Sequence, residues 1–225
     1  MEEVAVSVTH GFGQFYKCPK FSDVTLLDAV GNTIAAHRLV LSAGSRKFNE
    51  MLSREPTCEL CIVDIEADCL HAMLEYLYTN QCNIQMHNAV ELLSAAMLYG
   101  CDELESMASL YIHMQLNASS CCFFFSEAQK HKVEHIAIKA LYVASIDFQN
   151  VICSQSFLEL SLENLTALLG SPKLGGISKD ALQKASWMWI EKDQKRIEKY
   201  QDIMICIETR QSSQSDEVTF PLFYS

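Results

Sequence analysis

The chain has few basic residues, and its lysines and arginines do not cluster in any one segment. Its 225 residues include 17 lysine and arginine side chains against 28 aspartate and glutamate, a formal net charge of -11. The imbalance is largest in residues 1–116, which hold 15 acidic and six basic side chains. An acidic surface repels the phosphates of nucleic acids and of anionic lipids. The sequence therefore predicts neither a nucleic-acid partner nor a membrane partner.

Long apolar runs are also missing from the sequence. No stretch of about 18 apolar residues occurs, and the N-terminus has no basic segment followed by an apolar core. We therefore expect neither a membrane span nor a secretion signal. The ten cysteines are scattered through apolar segments of a chain too long to need disulfides. Reduced, mostly buried thiols and a cytoplasmic and/or nuclear location are the expectation.

No arrangement of residues predicts catalysis, a cofactor or a metal. Residues 11–13 (GFG) do not continue into a GxGxxG pattern, because position 16 is Tyr16. Cys58 and Cys61 have the spacing of a zinc or redox pair, but no second ligand pair follows at a suitable distance. His37 has no ligand partner on its own helix, so we predict a buried, hydrogen-bonded histidine. An enzyme is not expected.

Residues 21–52 carry the strongest structural signals that are present. A β-branched and apolar run at 24–27, a Gly31–Asn32 turn pair and a second short run predict a β-hairpin. Apolar side chains then recur at helical spacing as far as Leu52. They predict two helices joined near Gly44.

The rest of the chain predicts one more strand and then only helices. Residues 59–65 predict a mostly buried strand, and a helix with apolar residues at three- and four-residue spacing follows and ends near Asn80. Asn88 and Asp102 each precede a Glu by three residues, which predicts helix starts with side-chain caps. Gly100 predicts a left-handed helix end. From residue 117 on, the pattern is helical, with one amphipathic stripe formed by Val133, Ile136, Ala137, Ala140, Leu141 and Ala144.

Two sets of residues resemble known domains. The first resembles the opening signature of the BTB/POZ domain and consists of Asp23, Val24, the AHRLVLSA segment at 36–43, Ser45, Phe48 and Met51. The EYLYTN segment at 75–80 is similar to a YxYTG ending in the same family. Residues 146–190 resemble the BACK domain of kelch-like adaptors, in which a leucine-rich pattern precedes a helix ending in Trp, here Trp187 or Trp189.

This resemblance implies an α+β BTB/POZ fold, a small sheet flanked by helices, followed by an all-α BACK domain. The division it implies is an N-terminal segment at 1–19, a BTB/POZ domain at 20–116, a BACK-like domain at 117–210 that looks truncated, and a polar tail at 211–225. No kelch repeat pattern is present in the sequence.

The resemblance also implies a function. Kelch-like proteins are adaptors that dimerise through BTB and dock on a cullin scaffold of a ubiquitin ligase, so a homodimer, a cullin and an unidentified protein substrate are the expected partners. The residues expected in a cullin-binding groove are Phe48, Met51, Leu52, Glu59 and Tyr78. Those expected at a dimer interface are Phe12, Phe15, Asp23 and Arg38, with the last two as a charged pair.

One alternative stays open at the sequence level. The segment at 53–59 is shorter than in cullin-binding relatives, and Thr57, two positions before Glu59, stands where those relatives have an apolar residue. This favours a BTB oligomerisation scaffold or corepressor-binding module without a ligase role. The resemblance to BACK favours the ligase adaptor.

Overall fold

The computed structural model describes residues 12–54 and 58–215, and the chain divides between Met114 and Gln115 into two compact units. The first unit combines a small sheet with helices, and the described part of the second unit is helical. An α+β unit followed by a helical one is the predicted fold class. The sequence interpretations made for residues 1–11, 55–57 and 216–225 lie outside the described residues. In the described part of the chain, no helix is both long and apolar enough to cross a membrane.

The sheet of the first unit has three strands in the order β2-β1-β3. Strands β1 (Val24–Leu27) and β2 (Thr33–Ala36) are antiparallel and form the predicted hairpin. The Asp28 carboxylate closes the turn by accepting hydrogen bonds from the amides of Val30 and Asn32. Gly31 has φ +93, a conformation that costs glycine little.

The third strand is shorter and less buried than predicted. Strand β3 covers only Glu59–Cys61 and runs parallel to β1. Leu60 and Ile62 are buried, whereas Glu59, Cys61 and Val63 are exposed. Successive side chains of a strand point to opposite faces of the sheet, and here only the face that carries Leu60 and Ile62 packs on the core. The apolar residues at 59–65 predicted a strand buried on both faces, but only one face of β3 is covered.

The described residues of the first unit also form five α-helices: α1 (Arg38–Gly44), α2 (Arg46–Arg54), α3 (Ala67–Thr79), α4 (Ala89–Tyr99) and α5 (Asp102–Gln115). Asn80 and Gly100 follow α3 and α4 with φ of 58° and 64°, as their residue types predicted. Leu26, Leu41, Phe48, Leu74 and Ile62 are among the core side chains that the sheet and helices enclose.

The predicted helix starts are confirmed, but not the capping bonds that were expected to make them. The Asn88 Oδ1 accepts a hydrogen bond from the amide of Gln85, before the helix, rather than from an amide of α4. Asp102 is itself the first residue of α5, and its carboxylate contacts the Arg46 guanidinium at 3.0 Å. Both side chains therefore bond to other groups, the Gln85 amide and the Arg46 guanidinium, instead of capping their helices.

The second unit contains seven helices among its described residues: α6 (Cys121–Lys130), α7 (Glu134–Ile146), α8 (Phe148–Ile152), α9 (Gln155–Leu158), α10 (Leu162–Leu169), α11 (Lys179–Glu191) and α12 (Tyr200–Ser215). The stripe predicted from Val133 to Ala144 is buried along its whole length. Of the two tryptophans in α11, Trp189 is buried and donates from its indole nitrogen to the Leu160 carbonyl at 2.8 Å. Trp187 is 42% exposed and stacks on Tyr200.

Candidate interaction surfaces of the first unit

A cleft of about 380 Å³ lies beside the end of α2. Its lining consists of Lys47, Glu50, Met51, Arg54 and Leu60. Two apolar side chains are thus surrounded by three charged ones. Apolar anchors within a polar rim are typical of surfaces that bind another protein.

Three of the five residues predicted for the cullin-binding groove lie in the core instead. Phe48 is fully buried, Leu52 is 6% exposed and Tyr78 is 2% exposed. Their side chains can support the surface from beneath but cannot contact a partner. The sequence did not reveal this burial. Helical spacing shows which residues share one face of a helix, but not whether that face packs on the core or reaches solvent. Met51 is half-buried and Glu59 is exposed, so these two keep access to a partner.

The Arg38 side chain ties the beginning of α1 to the end of α2. Its guanidinium donates to the Leu52 carbonyl at 2.6 Å. The Asp23 Oδ1 accepts from the backbone amide of Arg38 at 2.8 Å, so the carboxylate caps α1 from 15 residues away. Asp23 and Arg38 are therefore neighbours through the backbone amide of Arg38, and both hold the helix pair in place; their role as a charged pair at a dimer interface stays a prediction.

A network around His37 fixes the segment that precedes β1. Its Nε2 lies 2.9 Å from the Lys20 carbonyl, and its Nδ1 lies 2.8 Å from the Tyr78 hydroxyl. Because a carbonyl can only accept, Nε2 carries the proton and Nδ1 accepts from the hydroxyl in neutral imidazole. Burial raises the pKa of Tyr78 to about 12, which keeps that hydroxyl protonated. The predicted hydrogen-bonded histidine is confirmed, although His37 is half-buried rather than buried.

The predicted dimer residues Phe12 and Phe15 are half-buried, and each lies near an exposed apolar side chain. The Phe15 ring contacts His37 and the 74% exposed Phe21, with ring centroids 5.7 Å and 6.1 Å apart. Phe12 and the 71% exposed Leu39 line a second cleft, of about 410 Å³. Phe21 and Leu39 were not among the predicted contact residues.

Sequence reasoning also missed the exposed apolar side chains at the end of α4 and along α5. These are Met97, Leu98, Met107, Leu110 and Met114, all between 39% and 72% exposed. On α5 the exposed set occurs at three- and four-residue spacing, and so does a buried set on the opposite face. The sequence of α5 contains two apolar stripes, and this pattern could have indicated that one of them is exposed.

Residues 12–54 and 58–215 contain no group of three histidine, cysteine or acidic side chains placed to hold an ion. Cys58 and Cys61 are both exposed; Cys58 precedes the short strand β3, and Cys61 is its last residue.

Comparison with known proteins accounts for both units. The family model "BTB/POZ domain" matches residues 12–116, and the model "BTB And C-terminal Kelch", abbreviated BACK, matches residues 121–216. The chain is a BTB–BACK protein. The first unit is its BTB domain, and the second is its BACK domain.

Individual relatives of this BTB–BACK protein include kelch-like and other BTB proteins. It is 28% identical to human Kelch-like protein 2 over 76% of this chain and 29% of that protein. It is 29% identical to BTB/POZ domain-containing protein 19 of Bos taurus over 69% of this chain and 55% of that protein. Among solved structures, the BTB domain of zebrafish PATZ1 matches with a TM-score of 0.43 and 23% identity, covering 47% of this chain and 88% of the PATZ1 domain. The chain thus spans about a third to a half of the lengths of these curated relatives.

Proposed function

We propose that this BTB–BACK protein is an adaptor that self-associates through its BTB domain and docks on a cullin scaffold of a ubiquitin ligase. Membership of the BTB adaptor family supports the general role, because kelch-like proteins are its relatives. The observation that carries the docking half is the cleft beside α2, where Met51 reaches solvent among charged neighbours.

The docking surface that we propose begins with Met51 and Glu59 and continues over the apolar side chains of α4 and α5. Phe48 and Leu52 fix α2 against the core, so Met51 needs no rearrangement before it binds. Pre-placed apolar anchors lower the entropy cost of association. Glu59 adds an exposed charge beside Leu60, which lines the same cleft as Met51.

Self-association would allow the adaptor to act by bringing proteins together. Two linked BTB domains bring two scaffolds and two bound targets together, and this raises the effective concentration of a target near the ligase without any catalytic group in the adaptor. We propose no reaction for this chain, and the protein substrate remains unidentified.

The docking half is tested by titrating a cullin N-terminal domain with the full chain and with Met51→Arg. The wild type is expected to bind at micromolar concentration or tighter, and Met51→Arg to bind at least about tenfold more weakly, because a charge is forced into an apolar contact. Val63→Arg is the matched control, since Val63 is 73% exposed and does not line the cleft. Both variants should keep the wild-type melting temperature.

A wild-type chain that does not bind any cullin at these concentrations contradicts the docking half. If that chain still forms a dimer, the scaffold or corepressor-binding alternative is supported instead. Light scattering of the same samples distinguishes the two outcomes.

A further inference from the structure

Methionine supplies much of the apolar part of the proposed docking surface. Met51 is half-buried and lines the cleft beside α2. Met97 in α4 and Met107 and Met114 in α5 are 44%, 39% and 72% exposed. The two methionines of α5 lie with Leu110 at i, i+3 and i+7, so they share one face of that helix. These four methionines, the docking methionines, are therefore accessible to small molecules in the solvent.

The helices that carry the docking methionines pack against one another. Lys47, which lines the same cleft as Met51, has its ammonium 4.2 Å from the centre of the ring of Tyr99, the last residue of α4. The Arg46 guanidinium pairs with Asp102, the first residue of α5, at 3.0 Å. α2 thus contacts the end of α4 and the start of α5, as a single docking surface requires.

The thioether of methionine has a reactivity that the side chain of leucine lacks. Hydrogen peroxide transfers one oxygen atom to the sulfur, so the sulfur is oxidised to a sulfoxide and the peroxide is reduced to water. The sulfoxide is polar, and its oxygen accepts hydrogen bonds. Burying such an oxygen in an apolar contact without a donor is unfavourable. A methionine-rich contact surface is therefore weakened by oxidation.

We propose that the docking methionines make attachment to the cullin scaffold sensitive to oxidation, so that peroxide releases the adaptor. This inference rests on the docking proposed above and adds a means of regulation to that site. Met73 is fully buried in the core of the same domain, so the surface can be oxidised while the core stays intact. Methionine sulfoxide reductases reverse the change, because they return the sulfoxide to the thioether.

The test measures how tightly a cullin N-terminal domain binds the full chain before and after the chain is treated with hydrogen peroxide. The peroxide is removed before the cullin domain is added, and dithiothreitol then reduces any disulfides without reducing methionine sulfoxide. The oxidised wild type is expected to bind at least about tenfold more weakly than the untreated chain. Treatment with methionine sulfoxide reductases should restore the original affinity.

A variant without the four thioethers isolates their effect. It combines Met51→Leu, Met97→Leu, Met107→Leu and Met114→Leu. Leucine keeps the apolar volume but has no sulfur, so this variant should bind equally well before and after peroxide.

Met86→Leu is the matched control. Met86 is 38% exposed, close to the 39% of Met107, but precedes α4 and lies outside the docking surface. This variant should lose affinity on oxidation as the wild type does. Mass spectrometry of peptides should find sulfoxide at Met97, Met107 and Met114 earlier than at the buried Met73.

Three results would overturn the role of the docking methionines and leave docking standing. One is an equal loss of affinity in the wild type and in the variant with four leucines. Another is a wild type that carries the sulfoxides and binds as tightly as before. The third is a treatment that oxidises Met86 but leaves the docking methionines unchanged. An untreated wild type that does not bind the cullin domain overturns docking itself, and this inference with it.

Discussion

The BTB and BACK domains of this protein secure their helices in different ways. In BACK, Ser154, Ser161 and Ser178 each accept a hydrogen bond from the amide three residues later, at the start of α9, α10 and α11. In BTB, the amide at the start of α1 donates to Asp23, 15 residues earlier, and Ser45 links α2 to the end of α4. These three helix starts in BACK are thus capped by local bonds, whereas the two helix starts in BTB also bond to residues far away in the chain.

The largest difference is expected at Ser45. Its hydroxyl accepts from the Phe48 amide at 3.1 Å and donates to the Tyr99 carbonyl, 54 residues away, at 2.7 Å. Ser45→Ala removes both bonds inside the core, and we expect it to destabilise BTB by about 3 kcal/mol. Ser161→Ala, at an exposed cap of α10, should cost BACK only about 1 kcal/mol.

Hydrogen exchange of the full chain measures both losses, because mass spectrometry follows the amides of each domain separately. Ser45→Ala should speed exchange throughout the BTB core, and Ser161→Ala should act mainly on α10. If both variants lose the same amount of protection, or if Ser45→Ala affects only the neighbouring amides, the two domains do not differ in how their helix starts are stabilised.

A smaller effect is expected at Tyr78, the second long-range link of the BTB domain. Tyr78→Phe keeps the ring but leaves the His37 amide and Nδ1 without their hydroxyl partner. We expect a loss of about 2 kcal/mol in the free energy of unfolding of BTB. Tyr142→Phe in BACK is the control, because Tyr142 is 63% exposed and should leave stability unchanged. Urea denaturation detects the loss, and a Tyr78→Phe domain as stable as wild type would argue against a structural role for this network.

A more gradual loss of stability is expected when the pH rises above 9.0, the ordinary pKa of cysteine. Burial raises the pKa of Cys82 and of Cys101 from 9.0 to about 11, and that of Tyr16 and of Tyr78 from 10.0 to about 12. The unfolded chain therefore loses these protons at lower pH than the folded domain does, so the folded state is favoured less as the pH rises.

The contribution of these groups to BTB stability is thus expected to be constant below about pH 9 and to fall from there toward pH 11 and 12, the range between the unfolded and folded pKa values. The melting temperature of the BTB transition, measured by calorimetry with a reducing agent present, checks this. A melting temperature that rises over the same interval would contradict the assignment of these groups as buried and neutral.

Much of the fold could be predicted from the sequence because its signals are local. The Gly31 turn, the left-handed residues Asn80 and Gly100 and the buried stripe of α7 all follow from a few neighbouring residues. The predictions that failed depended on which groups the fold places beside a side chain. The outer face of strand β3 is exposed among the described residues, and the Asp102 carboxylate contacts Arg46, 56 residues away, instead of capping its own helix.

The candidate surface was predicted less well than the fold. Met51 and Glu59 keep solvent access, whereas Phe48, Leu52 and Tyr78 are buried, and Phe21 and the apolar stripe of α5 were not anticipated. A sequence pattern gives the spacing of apolar residues but does not distinguish a side chain that packs inside from one that is kept for a partner.

By itself, the sequence determined which segments form the hairpin and the helices, and its motifs indicated the BTB–BACK order, since spacing and turn chemistry are properties of neighbouring residues. Only the tertiary structure decided which apolar side chains remain outside. The same folding placed Asp23 at the start of α1 and His37 between Lys20 and Tyr78. Those outcomes depend on contacts between residues 15 to 41 positions apart, and such contacts exist only when the domain is assembled.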